Sequence, residues 1–176
     1  MALNEYNFVT RWTVSGTCAE VYDILYDGLS LPRWWPSVYL EVTRATPEER
    51  GNGPGAALDL FTKGWLPYTL RWRSTVTSVN LPHGFSLAAS GDLTGTGTWT
   101  FTQRGEFVDI QFDWRVRADK LLLRAFSWIF KPIFSANHHW AMARGEESLK
   151  LELQRRRAPD EATRVAIPPP PGPTFR

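Results

Sequence analysis

Apolar and polar residues alternate along most of the first two thirds of the chain, and this period of two predicts β-strands. The alternation is most regular over residues 6–14 and 107–118, where every second position is apolar except Thr10. Between these segments, clusters of Gly, Pro, Asn and Asp separate shorter apolar runs, as turns separate strands. The sequence therefore predicts seven strands, with the other five over residues 38–46, 56–62, 69–79, 85–90 and 92–103.

Two short helices are predicted between the first and second strands. Thr17 is a favourable N-cap residue and precedes an amphipathic segment over residues 18–26. A second helical turn is expected over residues 29–35. It should end there because the residue before a proline, here Pro36, avoids the helical conformation.

The period becomes helical again from Leu121 to about Arg157. We expect Pro132 to break or kink this segment, since proline lacks a backbone donor and clashes with the preceding turn. Beyond the proline, one helical face collects a histidine and apolar residues, namely His138, Met142, Gly145, Leu149 and Leu153.

This order of elements predicts an α+β fold. Consecutive antiparallel strands form a sheet with one polar and one apolar face, and only the long terminal helix is large enough to cover the apolar face. We therefore expect a curved antiparallel seven-stranded sheet wrapped around the C-terminal helix, in one domain over residues 1–157. Residues 158–176 are rich in proline and arginine and are expected to form a disordered or polyproline tail.

Aromatic content is the unusual feature of the composition. Nine Trp, ten Phe and five Tyr occur among 176 residues, so the interior is either a core of bulky side chains or a cavity lined with rings. The single cysteine, Cys18, excludes an intrachain disulfide and a cysteine-based zinc site. The sequence predicts no metal and no cofactor. In particular, no helix follows Gly95 and Gly97, as a dinucleotide-binding motif requires.

The charge pattern argues against nucleic acid as a partner. The formal net charge is only +2, and the five arginines and two acidic residues of segment 155–176 place the basic excess on the tail. The first residues lack the apolar region of a secretion signal, and no apolar run approaches the roughly 18 residues of a membrane span. We therefore expect a cytoplasmic protein.

Four local segments resemble a known superfamily. They are LPRWWP at 31–36, GDLTGTGTW at 91–99, FDWRVR at 112–117 and NHHWAMARGEE at 137–147. With the order of elements, these segments resemble the START-like helix-grip superfamily (SRPBCC; polyketide cyclase/dehydrase and lipid transport) over residues 6–155. The resemblance implies a helix-grip fold with a deep cavity between sheet and helix. Its members bind lipids, sterols, polyketides, hormones or aromatic compounds, and a minority catalyse cyclisation, dehydration or hydrolysis.

Strand alternation and helical phase identify the residues expected to line this cavity. The glycines on the sixth strand have two interpretations that stay open: they leave room for a ligand, or they allow the sheet to bend or the helix to approach closely. The candidate ligand-binding residues are Trp34, Trp35, Leu70, Trp72, Gly95, Gly97, Trp99, Phe112, Trp114, Phe134, His138 and Met142.

His138 is the candidate that carries chemistry. A histidine on an apolar helix face is a satisfied core residue, a polar handle for a bound ring, or a general base. The sequence thus favours binding of a hydrophobic small molecule (lipid, polyketide or aromatic compound) for transport, sequestration or presentation. A cyclase or dehydratase that uses His138 as acid or base is the alternative. A protein-interaction module acting through the tail is a second alternative.

The apolar segment Leu121–Phe134 also has more than one interpretation. It is the buried start of the long helix, or an exposed lid that makes transient contact with membranes through Trp128 and Lys131. An exposed apolar segment of this kind is equally suited to a homodimer interface.

Overall fold

A seven-stranded antiparallel sheet forms the body of the computed structural model, which describes residues 5–47, 51–118 and 127–174. The strands lie in the order β1-β7-β6-β5-β4-β3-β2, so each strand from β2 onward pairs with the next along the chain and β1 pairs with β7. This is the predicted meander. The strands are β1 Glu5–Ser15, β2 Tyr39–Arg44, β3 Ala57–Lys63, β4 Thr69–Asn80, β5 Gly84–Gly91, β6 Leu93–Arg104 and β7 Phe107–Ala118.

The register of the central strands gathers aromatic residues on the inner face. On β7, alternate residues from Val108 to Val116 are buried, as the sequence pattern predicts. Phe112 pairs with Trp99 across the β6–β7 ladder, and Trp114 pairs with Gly97. Large rings on one strand therefore face either another ring or a glycine on its neighbour.

Two short helices follow β1, as predicted. Helix α1 spans Cys18–Tyr26 and begins with a capping box, in which Thr17 and Glu20 satisfy each other's backbone N–H groups. A 3₁₀ turn over Gly28–Ser30 leads into α2, Leu31–Trp34. Trp34 and Trp35 are both buried at the end of α2, so this segment is anchored in the core.

The long helix α3 spans Ser127–Arg157. Met142, Leu149 and Leu153 lie buried on the predicted face, in one core cluster with residues of the sheet, α1 and α2. The helix continues through Pro132, so a break at this position is wrong, while a kink there stays a prediction. Packing of the following turns against the sheet stabilises the helical backbone beyond the proline, and this offsets the loss of one hydrogen bond. No helix among the described residues is long and apolar enough to cross a membrane.

The C-terminal segment contains a short helix that the sequence analysis did not predict, while the disordered or polyproline tail stays a prediction. Helix α4 spans Glu161–Ala166, and the Asp160 carboxylate accepts a hydrogen bond from the Thr163 N–H at its start. The Arg155 guanidinium donates to the carbonyl oxygens of Ile167 and Pro168. The sequence pattern did not indicate this helix because it is short and buries none of its residues. The domain boundary after residue 157 stays a prediction.

Candidate functional site

A cavity of about 180 Å³ lies between the inner face of the sheet and α3. Its walls come from β1, the segment after α2, strands β2 to β7 and the first half of the described α3. Nine of the predicted ligand-binding residues line it: Trp35, Leu70, Trp72, Trp99, Phe112, Trp114, Phe134, His138 and Met142. The sequence analysis missed others, including Tyr6, Phe8, Tyr39, Thr62, Lys63, Tyr68, Asn137 and Ala141.

One wall of the cavity is a row of aromatic rings on three strands. Trp99 and Phe112 stack with centroids 4.1 Å apart, and Phe112 stacks on Trp114 at 5.5 Å. Trp72 on β4 continues the row, 5.8 Å from Trp114. Its indole N–H donates to the Thr62 hydroxyl at 3.1 Å, so the nitrogen edge of this ring is already satisfied.

Three predicted residues do not line the cavity. Trp34 is fully buried behind Trp35, with ring centroids 5.6 Å apart. A Cβ at Gly97 would lie 2.9 Å from the rings of Phe112 and Trp114, and one at Gly95 would lie 2.0 Å from the carbonyl oxygen of Arg115. The space beside these glycines is filled by β7. The prediction that they leave room for a ligand is therefore not supported, and close contact within the sheet explains them.

Gly145, a glycine of α3, allows this helix to approach Trp35 closely. A Cβ at Gly145 on α3 would lie 2.2 Å from the Trp35 indole. The edge of that indole next to Nε1, at Cε2 and Cζ2, therefore faces the helix. This contact positions Trp35 at one end of the cavity.

His138 lies at the opposite wall from the stacked rings of β6 and β7, on the α3 face that meets β1. Its imidazole stacks on Phe8 with centroids 4.0 Å apart and an interplanar angle of 15°. The Nε2 atom is buried and has no hydrogen-bond partner among the described residues. Burial, and secondarily the charge of His139, lower the pKa of His138 to about 4. The side chain is therefore a neutral imidazole at pH 7.

Asn137, which the sequence analysis overlooked, joins α3 to the β3–β4 turn. Its Oδ1 accepts hydrogen bonds from the backbone N–H groups of Trp65 at 2.8 Å and Leu66 at 3.3 Å. Burial is the main cause that raises the pKa of the neighbouring Tyr68 to about 12, so this phenol is neutral at pH 7. A signal for Asn137 existed, because asparagine disfavours helix interiors unless its side chain has a local role.

Glu152 is a buried carboxylate that the sequence pattern grouped with no site. It accepts two hydrogen bonds from Arg33 of α2, at 2.9 and 2.7 Å, and one from Arg156 at 2.9 Å. Burial would raise the pKa of Glu152, but the hydrogen bonds and charges of both arginines together outweigh it and lower the pKa. None of these residues lines the cavity, so the cluster is a structural link between α2 and α3.

The remaining predictions concern metal sites and the segment Leu121–Phe134. Within ranges 5–47, 51–118 and 127–174, no group of His, Cys, Asp and Glu is placed to hold a metal ion. Residues 121–126 lie outside the described part of the chain. Of the rest, Phe134 lines the cavity and Ile133 is partly exposed. The membrane contact and the homodimer stay predictions.

No family model and no curated protein sequence matches the chain. Solved structures do match. The aromatase/cyclase ZhuI from a Streptomyces species is 15% identical, with a TM-score of 0.64 over 88% of this chain and 97% of that one. Norcoclaurine synthase from Thalictrum flavum, in complex with dopamine and hydroxybenzaldehyde, is 13% identical, with a TM-score of 0.60 over 88% and 89%.

A third match is half of a longer protein. The di-domain aromatase/cyclase StfQ of the steffimycin biosynthetic pathway is 19% identical, with a TM-score of 0.60 over 88% of this chain and 52% of that one. These similarities confirm the predicted START-like helix-grip fold. At such low identity they establish the fold alone.

Proposed function

We propose that this helix-grip protein binds a compact hydrophobic molecule, of one or two aromatic rings, in the cavity between sheet and helix. The observation that carries the proposal is the row of stacked rings formed by Trp99, Phe112, Trp114 and Trp72 along an apolar cavity. Flat aromatic faces of this kind favour a flat aromatic guest, which gains both apolar burial and stacking.

The size of the cavity narrows the ligand classes that the sequence left open. An engineered apolar cavity of about 150 Å³ is known to accept benzene, and the cavity here measures about 180 Å³. A one-ring or two-ring compound therefore suits this volume. An extended polyketide or a long acyl chain would need the walls to move.

The structural neighbours support a small-molecule role without choosing between binding and catalysis. Two of them are aromatase/cyclases, and norcoclaurine synthase is described with two single-ring compounds. The catalytic alternative requires His138 as acid or base. A group whose pKa is about 4 is a weak base at neutral pH, so we favour binding for transport, sequestration or presentation.

Titration calorimetry with 1-naphthol tests the proposal, with the four-ring compound pyrene as the size control. We expect one 1-naphthol per chain and no binding of pyrene. Ala141→Phe places a ring in the cavity and should weaken 1-naphthol at least tenfold, because Ala141 lines the cavity. The matched variant Ala143→Phe, at an exposed position of the same helix, should bind like the wild type.

Two outcomes would contradict the proposal. One is the absence of 1-naphthol binding to the folded wild-type chain. The other is equal affinity in wild type and Ala141→Phe, which would move the binding site away from the cavity. Native mass spectrometry of the purified chain adds an unbiased check, because a bound guest appears as excess mass that denaturation removes.

A further inference from the structure

We propose that the bound molecule is a hydroxylated aromatic compound whose uncharged hydroxyl group forms a hydrogen bond with Nε2 of His138. This inference rests on the proposed function and specifies the chemical class of its ligand. It is carried by the unsatisfied Nε2 atom of His138, a residue that lines a largely apolar cavity.

The orientation of His138 is set by packing. The imidazole lies flat on Phe8 of β1, 4.0 Å away and nearly parallel to it. His139, the next residue on α3, meets the same Phe8 ring edge-on at 5.9 Å. With one face covered by Phe8, the plane of the His138 ring is held in place at the cavity wall.

The Nε2 atom lacks what a buried polar atom requires. It is buried, it belongs to a residue that lines the cavity, and no described residue forms a hydrogen bond with it. Native structures rarely leave such atoms unsatisfied, because an unpaired buried donor or acceptor loses its bonds to water without replacement. Because His138 lines the cavity, we assign a polar atom of the ligand as the partner of Nε2.

Thr62 and Asn137, two other polar residues of the cavity wall, are engaged within the protein. The Thr62 hydroxyl accepts from the Trp72 indole, and the Asn137 carbonyl oxygen accepts from the β3–β4 turn. Trp35 also has a buried nitrogen without a partner, but the edge of the indole next to it faces Gly145 on α3. Of the two buried lining nitrogen atoms without a partner, we therefore assign Nε2 of His138 to the contact with the ligand.

The chemistry of a neutral imidazole selects the hydroxyl group. Burial keeps this histidine neutral, so Nε2 accepts a hydrogen bond in one tautomer and donates in the other. A hydroxyl can donate or accept, and it satisfies either tautomer. A carboxylate would gain no compensating charge from this ring, and burying an unpaired charge is strongly unfavourable.

The test compares naphthalene, 1-naphthol and 1-naphthoate, which share one ring system and differ in the polar group. Calorimetry on the wild-type chain should show 1-naphthol binding about tenfold more tightly than naphthalene, the difference expected for one newly satisfied buried hydrogen bond. His138→Phe keeps a ring stacked on Phe8 and should bind both compounds equally. His139→Phe, at the exposed neighbouring position, should keep the preference for 1-naphthol.

The outcomes separate this inference from the proposed function. Equal binding of naphthalene and 1-naphthol by the wild type, or a hydroxyl preference that persists in His138→Phe, would overturn the inference alone. A preference for 1-naphthoate would also overturn it, and would assign the polar contact to Lys63, which lines the cavity at the end of β3. Failure of all three compounds to bind would overturn the proposed function as well.

A measurement on the wild-type chain tests the inference whether or not His138→Phe folds correctly. Nitrogen NMR of the imidazole resonances, assigned to His138, should show a change at Nε2 when 1-naphthol binds and a smaller one with naphthalene. An unchanged Nε2 resonance in a chain saturated with 1-naphthol would overturn the inference.

Discussion

The burial of His138 makes the stability of the folded chain depend on pH. The pKa of this imidazole falls from an ordinary value of 6.5 to about 4 in the folded chain, so the unfolded chain takes up the proton first as pH falls. The contribution of the neutral His138 imidazole to the free energy of unfolding is therefore complete above pH 6.5. It is lost progressively as pH falls towards 4. The Arg157 guanidinium lowers the pKa of Glu20 from 4.5 to about 2, so the contribution of this carboxylate changes below about pH 4.5, outside the range from pH 7 to pH 5.

We predict that the free energy of unfolding decreases between pH 7 and pH 5 in the wild type, with a slope of up to about 1.4 kcal/mol per pH unit. In His138→Phe this slope should be much reduced, because the group that titrates is gone. Urea unfolding at both pH values measures the difference. His139→Phe removes only the smaller cause of the shift, and it should retain the slope. A wild-type slope in His138→Phe would contradict the assignment.

Gly97 determines the position of the aromatic rings that line one wall of the cavity. A Cβ at this position would lie 2.9 Å from the rings of Phe112 and Trp114, and both rings line the cavity. Gly97 thus contributes to the binding site indirectly. Because it has no side chain, the rings of Phe112 and Trp114 on β7 can pack against β6 without being displaced.

Gly97→Ala should destabilise the free chain by about 1–3 kcal/mol, the usual cost of overpacking a core. The shifted rings should also weaken 1-naphthol binding. Chemical denaturation and calorimetry measure the two effects. Gly53→Ala is the matched control, since its added methyl group would meet nothing within 4 Å. Unchanged stability in Gly97→Ala would restore the interpretation that this glycine leaves empty space for a ligand.

At the scale of secondary-structure elements, the Glu152 cluster holds α2 against α3. The carboxylate is buried, while the Arg33 side chain is 57% exposed and that of Arg156 is 38% exposed. Two arginines on one carboxylate satisfy its oxygen atoms from two directions. Helix α2 leads directly into Trp35, so this link supports the end of the cavity that Trp35 forms.

Arg33→Ala should lower the free energy of unfolding by about 1–2 kcal/mol. This is less than the usual effect of breaking a buried pair, because Arg33 is largely solvated and Arg156 remains. Urea unfolding at neutral pH provides the measurement. Arg73→Ala breaks an exposed pair with Asp59 of similar geometry and should change stability little. If the two variants were equally stable, the cluster would contribute no more than a surface ion pair.

At the scale of the whole molecule, the C-terminal segment and the cavity are separate. Helix α4 buries none of its residues, and Val165 within it is 74% exposed. No residue of the described tail lines the cavity. The segment is joined to the body by hydrogen bonds from the Arg155 guanidinium to the carbonyl oxygens of Ile167 and Pro168, which follow α4.

Deletion of residues 158–176 should therefore leave the affinity for 1-naphthol unchanged and lower thermal stability only slightly. Calorimetry and a thermal melt of the shortened chain check both expectations. Deletion of residues 168–176 alone is the control that retains α4. Loss of 1-naphthol binding on either deletion would show that the tail takes part in the site. A protein partner that binds the full chain but not the shortened chain would instead support the tail as an interaction module.

The strands and short helices could be predicted because their signals are local. Alternation along β7 and the cap at Thr17 depend on residues a few positions apart. The buried face of α3 followed from helical phase for Met142, Leu149 and Leu153. The same phase could not show that Glu152 is buried, since its burial depends on Arg33, 119 positions away in sequence.

The sequence by itself determined the order of elements, the inner face of β4, β6 and β7, and most of the rings at the cavity, because side-chain direction follows the backbone period. Only the tertiary structure decided how the space between sheet and helix is shared. In the folded chain, atoms of β7 occupy the space beside Gly95 and Gly97. Trp34 is buried in the core, and Phe8 stacks on His138. These outcomes depend on distances between segments far apart in the chain, and on whether neighbouring side chains or a ligand occupy the same volume.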